Sequence, residues 1–287
     1  MSRALLGCLA IAMLVGTPAL AADMAVKAPV VPAAAGSWFW SVSGGYDLPS
    51  EKQFLIGDPN VVGGVRAGFG GGFTGRGTVG YRWTNWDVAV AAEGADLSHG
   101  TPQLSYTGFL APALTHSPSG SYWAVDGELG YTLGNPGAKL RVFVGPRFAT
   151  WQMSDSDGSA PVPFTFQQRS DAVGPRVGFQ SSGPLGAQNL GWFADASISA
   201  LYGNLKGTAG GSGTGTLTIT KNYWQADGKL GLEWQVAPLS KLAVGYQFSY
   251  WDGALAAVEY NGFGIPLLGG SAITLLQGPF IRFTYNQ

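Results

Sequence analysis

From Phe73 to Trp83, the residues Phe73, Gly75, Gly77, Val79, Tyr81 and Trp83 alternate with Thr74, Arg76, Thr78, Gly80 and Arg82. Side chains of a β-strand alternate faces with period 2, so one face of this segment is apolar and the other carries both arginines. The pattern recurs in about ten segments, and all sixteen charged residues inside them take the parity opposite to that segment's aromatic and aliphatic residues. A single alternating segment fits any half-buried sheet. Ten of them, each keeping charge off the apolar face, predict an all-β fold: a transmembrane antiparallel up-and-down β-barrel, apolar toward lipid and polar toward its lumen.

The segments fall near Trp38–Tyr46, Phe73–Trp83, Trp86–Gly94, Tyr122–Leu133, Lys139–Trp151, Val173–Gln180, Leu190–Tyr202, Tyr223–Gln235, Lys241–Trp251 and Pro279–Tyr285. Ten is an even number, as single-chain bacterial barrels require, and eight or twelve strands are the neighbouring solutions. Thr84-Asn85 and Gly134-Asn135-Pro136-Gly137 are short turns, as are the gaps near Ser182 and Val236. The gaps after the first, third, fifth, seventh and ninth segments span roughly 18 to 28 residues and are expected to be long outer loops. The Gly- and Thr-rich stretch near Gly203 to Lys221 is expected to be one of them. Pro146 and Pro175 lack backbone donors, so bulges are expected there.

Aromatic residues cluster at segment ends. Trp83, Trp86, Tyr131, Trp192 and Trp234 are expected at the short-turn interface, Tyr46, Trp123, Tyr202, Trp224 and Tyr250 at the opposite one, and Trp38 is a further expected interface aromatic. The low charge content, 11% against a usual value of about 25%, together with 45 glycines suits a lipid-facing wall.

Met1 to Ala21 has Arg3, an apolar run and the small-residue site Ala19-Leu20-Ala21, which predicts a cleaved secretory signal (1–21) and export to the bacterial outer membrane. Leu5-Leu6-Gly7-Cys8 looks like a lipoprotein box but leaves too short a signal, so Cys8 is expected to depart with the peptide. Residues 22–36 read as a flexible periplasmic leader and 37–287 as the barrel. The formal charge of −1 carries no basic excess to attract nucleic acid. The expected partners are outer-membrane lipid, the barrel-assembly machinery during insertion, and small solutes or ions.

The inward set comprises Arg76, Arg82, Lys139, Arg141, Arg147, Arg176, Lys229, Lys241 and Arg282 with Asp87, Glu93, Asp126, Glu128, Asp195, Asp227 and Glu233. These are the candidate pore-lining residues. They admit two readings: a salt-bridged plug, or a narrow water-filled pathway whose ion preference the charges tune. Many inward positions are small, including Ser41, Ser43, Gly80, Gly130, Gly178 and Gly231, which predicts a sparsely filled interior and favours the pathway. The alternative is a non-conducting structural or surface-interaction barrel that acts through long outer loops. Catalysis has little to stand on: His99 and His116 share one loop, near Ser98 and Asp96, without metal-ligand spacing, and no cofactor is expected. Gly70 to Gly75 matches G-x-G-x-x-G but precedes a strand and opens no helix.

Gly36-Ser37-Trp38-Phe39-Trp40-Ser41-Val42-Ser43-Gly44-Gly45-Tyr46, Gly75-Arg76-Gly77-Thr78-Val79-Gly80-Tyr81-Arg82 and Asn85-Trp86-Asp87-Val88-Ala89 resemble the opening of the Legionella-type major outer-membrane protein family. Val125-Asp126-Gly127-Glu128-Leu129-Gly130-Tyr131 and Leu140-Arg141-Val142-Phe143-Val144-Gly145-Pro146-Arg147-Phe148 are similar to that family's middle hairpin. The resemblance implies a pore-forming barrel and brings no catalytic residues. The leader Ala21 to Pro29 also looks like that of the opacity-type surface antigens of α-proteobacteria, usually eight-stranded. The ending Phe283-Thr284-Tyr285-Asn286-Gln287 departs from the terminal aromatic common in such barrels, which leaves Tyr285 as the expected insertion signal.

Overall fold

The computed structural model describes residues 36–49, 54–56, 65–67, 70–97, 119–135, 138–157, 164–186, 189–210, 214–260 and 266–287. Residues 1–35, with the expected signal and nearly all of the leader, lie outside the described residues. Among the described residues twelve strands follow one another: β1 (Ser37–Pro49), β2 (Phe54–Ile56), β3 (Val65–Ala67), β4 (Gly72–Trp83), β5 (Trp86–Leu97), β6 (Ser119–Asn135), β7 (Ala138–Asp157), β8 (Phe164–Pro184), β9 (Leu190–Gly210), β10 (Thr214–Ala237), β11 (Ser240–Tyr260) and β12 (Pro266–Asn286). β1 and β4 through β12 pair antiparallel, each with its neighbour, and β12 returns to β1, with Trp40 opposite Tyr285 and Ser43 opposite Arg282. The result is a closed ten-stranded barrel with no free edge. β2 and β3 form a short hairpin inside the first outer connection, touching β11 through the single pairing of Val258 with Ile56, and are not barrel strands.

Alternation sends large apolar side chains outward along every barrel strand. Val79 is 50% exposed, Val90 56%, Val144 53% and Leu230 57%. So much contiguous apolar surface is untenable in water and is what lipid tails require. Aromatic pairs edge this belt. At the short-turn end Trp83 opposes Trp86 and Trp86 opposes Tyr131, with the last two rings 4.8 Å apart and edge-to-face. At the other end Tyr46 meets Phe73 at 5.3 Å and Trp123 meets Phe148 at 5.1 Å. Trp38, Trp192, Tyr202, Trp224, Trp234 and Tyr250 share the outward parity of these rings.

Above the second girdle the outer wall turns polar. Thr150, Asp171, Asn204 and Thr220 form one row across β7 to β10. Within it Thr150 donates to Asp171 at 2.8 Å and Thr220 to Asn204 at 2.7 Å. The next row is Gln152, Arg169, Lys206 and Thr218, followed by Ser154, Gln167, Thr208 and Thr216. About ten residues suffice to cross a membrane, so strands of 20 to 24 residues rise well beyond it.

That height overturns part of the sequence reading. The expected long outer loops after the fifth, seventh and ninth strands are mostly strand: β7 resumes as β8 after residues 158–163, β9 as β10 after 211–213, and β11 as β12 after 261–265. Residues 203–210 and 214–221, read as loop, pair with each other in continuous register. Gly and Thr weaken the hydrophobic alternation, yet a strand already paired on one side extends through backbone bonds alone.

The two prolines are accommodated without bulges. Pro146 stands opposite Pro175, and the β7–β8 register is continuous through them. The pairings that lapse are on the far sides, Gly127 with Pro146 and Glu128 with Gly145 in β6–β7, and Gly174 with Leu201 and Pro175 with Ala200 in β8–β9, without a register change. In an antiparallel ladder, opposed residues either exchange both bonds or neither. Two prolines facing each other at a non-bonded site direct their missing donors away from the shared ladder.

Candidate functional site

The barrel strands carry all sixteen predicted inward charges to the inner side, where they sort into levels. At mid-height, four arginines and five carboxylates make one network. Arg76 donates to Glu93 and Asp126, both at 2.9 Å, and to Glu128 at 3.2 Å. Arg141 holds Asp87 at 2.6 Å and Glu128 at 2.9 Å. Arg176 reaches Glu128 at 2.7 Å and Asp126 at 3.3 Å. Arg147, with no exposed surface, lies between Asp126 at 3.0 Å and Asp227 at 2.7 Å. Its contact with Asp227 joins β7 to β10, strands that are not neighbours in the wall, so the bond crosses the lumen. Two further pairs lie nearer the short turns, Lys241 with Glu233 at 2.5 Å and Arg282 with Asp195 at 2.6 Å.

Small residues opposite these charges make the room. Asp87 faces Gly130 across the β5–β6 ladder, and a Cβ on Gly130 would come within 2.5 Å of both Asp87 Oδ1 and Arg141 Nε. Desolvating so many ions costs several kcal/mol for each, which only dense mutual pairing offsets. Neutral groups complete that pairing: Tyr122 donates to Glu93 at 2.8 Å, and Ser249 and Gln225 donate to Asp227 at 2.7 and 2.8 Å.

Outward of the network the lumen is packed with apolar side chains. Tyr122 stacks on Trp151 with centroids 5.0 Å apart, and Trp251 lies 5.5 Å from Trp151 and 5.6 Å from Tyr122. Both tryptophans are 1% exposed, and Leu97, Met153, Phe166, Leu201, Tyr223, Leu255 and Leu276 belong to the same cluster. Arg147 places its guanidinium 5.9 Å from the Trp251 ring, so the charged and aromatic layers touch.

Toward the short turns the lumen opens into a hollow of about 700 Å³. Its walls carry Ser41, Ser43, Thr78 and Thr284, and the rings of Phe39, Phe143 and Phe193. These rings correct the expectation of a sparsely filled interior. Gly80, Gly178 and Gly231 are seats for phenyl rings: Phe39 lies over Gly80, and a Cβ would meet Phe143 at 2.5 Å on Gly178 and Phe193 at 2.9 Å on Gly231. The missed signal was the parity itself, since Phe39, Phe143, Trp151, Phe193, Tyr223 and Trp251 all share the register of the inward charges. Of the residues named for catalysis, Ser98, His99 and His116 lie outside the described residues, and Asp96 points outward beside Phe73.

A membrane-spanning β-barrel is the class that this wall and lumen define. No family model matches the chain, and no curated protein matches it in sequence. Among solved structures it is similar to the outer membrane protease OmpT from Escherichia coli, with a TM-score of 0.50 and 9% identity over 91% of this chain and 99% of that one. A major outer membrane protein from Thermus thermophilus gives 0.40 and 12% over 87% and 99%, and Neisserial surface protein A gives 0.30 and 10% over 87% and 97%. The first likeness is one of fold alone, and the other two superpose too loosely to carry an argument.

Proposed function

We propose that the chain is an exported bacterial outer-membrane barrel that stands closed and acts as a structural or surface-interaction protein. Its working face is the polar wall that β7 to β10 raise above the outer girdle, in place of the long loops expected from the sequence. The observation that supports this most is the layer of Tyr122, Trp151 and Trp251 resting on the Arg147 network. Side chains with 0 to 3% exposure leave little room between them for a continuous column of water. Insertion by the barrel-assembly machinery and contact with outer-membrane lipid belong to the same reading. The resemblance to the Legionella-type family implies a pore-forming barrel and so supports the second reading, not the closed one.

Passive diffusion of small solutes or ions is the second reading, favoured by the hollow lower half of the lumen and its hydroxyl-lined wall. It requires the aromatic layer to move aside. Planar-bilayer recording of the purified, refolded protein separates the two: a closed barrel gives a silent trace, and stepwise currents from the native sequence would overturn the closed reading.

A further inference from the structure

The hollow at the short-turn end carries more cationic charge than its own carboxylates use. Eight cations and five carboxylates line it, a formal surplus of three positive charges. Every lining carboxylate is already held: Glu93 and Glu128 by the arginine network, Asp227 by Arg147, Asp195 by Arg282 and Glu233 by Lys241. The surplus is therefore localised. Among the described residues Arg82, Lys139 and Lys229 make no ion pair. Lys229 lies 5.4 Å over the Phe280 ring and Arg82 lies 5.0 Å over the Phe39 ring. Lys229 lies in the field of Glu93, Asp227 and Asp47, opposed by Arg76 and Arg282, and among the described residues no carboxylate oxygen stands at ion-pair distance from it. Arg82 keeps a buried Nε without a hydrogen-bond partner.

Unpaired cations in a recess walled by protein and lipid raise the local concentration of anions. Among the described residues the recess runs from the arginine network to the turns that carry Thr84, Asn85 and Pro238. A hollow of about 700 Å³ takes a ligand much larger than a simple ion. The serine and threonine hydroxyls along β1, β4 and β12 supply neutral donors to an oxyanion. We propose that this hollow is a binding site for a small soluble anion of two or more negative charges, a phosphate ester or a polycarboxylate, reached from the periplasmic side. Arg82 and Lys229 are its charge-bearing contacts and Lys139 stands at its mouth. The site does not depend on whether the outer half conducts.

Calorimetric titration of the folded protein in detergent micelles with pyrophosphate, with citrate and with uncharged sucrose tests this. Saturable one-to-one binding is expected for an anion and none for sucrose, weakening as salt rises from about 0.05 to about 0.3 M, a range that shortens the screening length to below about 10 Å. The anion that binds more tightly identifies the ligand class. Lys229→Met and Arg82→Gln should each weaken binding about tenfold or more, and Lys139→Gln, at the exposed rim where folding is not at stake, by about threefold. Arg169→Gln on the outer wall should leave it unchanged. Absence of binding by both anions, equal binding of sucrose, or undiminished affinity in all three lumen variants would overturn the proposal.

Discussion

The two halves of the lumen are built from the same ten strands and the same alternation, yet they use the inward positions in opposite ways. The outer half is filled: Tyr122, Trp151, Tyr223 and Trp251 close on one another and leave almost no exposed surface. The short-turn half is hollow, and its phenyl rings lie back against wall glycines instead of meeting across the axis. Between them every network arginine is paired, while below it Arg82, Lys139 and Lys229 are not. A barrel of one strand number can thus be sealed or open at different heights. What decides is which inward residues are large enough to reach the axis, and whether glycine on the neighbouring strand lets a ring lie flat.

The sharpest way to break this contrast is to empty the outer layer. Trp151→Ala combined with Trp251→Ala should cost more than about 5 kcal/mol, since each buried Trp→Ala truncation costs about 3–5 kcal/mol. The same variant should convert a silent bilayer trace into stepwise currents. Silence after the truncation would mean that the arginine network alone seals the barrel. Arg147→Leu comes next. It leaves Asp227 without its ion-pair partner, while Asp126 keeps Arg76 and Arg176, and should lower stability by about 3–5 kcal/mol, read from urea unfolding in micelles. Below the network the matching change should be nearly silent. Lys229→Met removes a cation that makes no ion pair, so stability should stay within about 1 kcal/mol of the native value. Equal losses for Arg147→Leu and Lys229→Met would erase the distinction between the two levels. The smallest effect is expected in a turn: Thr84 holds φ at 52°, where a β-branched residue is strained, and Thr84→Asn should stabilise by about 0.5–1 kcal/mol. Its thermal midpoint in the same micelles should rise accordingly.

Much of the architecture is legible along the chain because a strand's alternation is a local property. Phe73 to Trp83 announces its two faces without reference to any other segment, and Thr84-Asn85 specifies a hairpin on its own. The upper reaches of β8 to β10 were not legible: Gln167, Thr208 and Thr216 sit on a wall with water outside, so no apolar residue marks the outer face there. In the lumen, the same parity that found Arg141 and Arg147 also contained Phe143 and Trp151, but counting small residues hid them. A glycine reads as a vacancy in sequence and as a ring's seat in the closed barrel.

By itself the sequence determined the number of barrel strands, the face each side chain takes and the end at which the short turns lie. All three follow from period 2 and turn chemistry within a few residues. Only the tertiary structure decided the height at which each inward side chain meets another. Arg147 and Asp227 are 80 residues apart and share a bond because closure of the wall brings β7 and β10 to face each other across the axis. Tyr122, Trp151 and Trp251 become one layer for the same reason. Register between strands, accumulated around a closed ring, sets those levels, and no single segment carries that information.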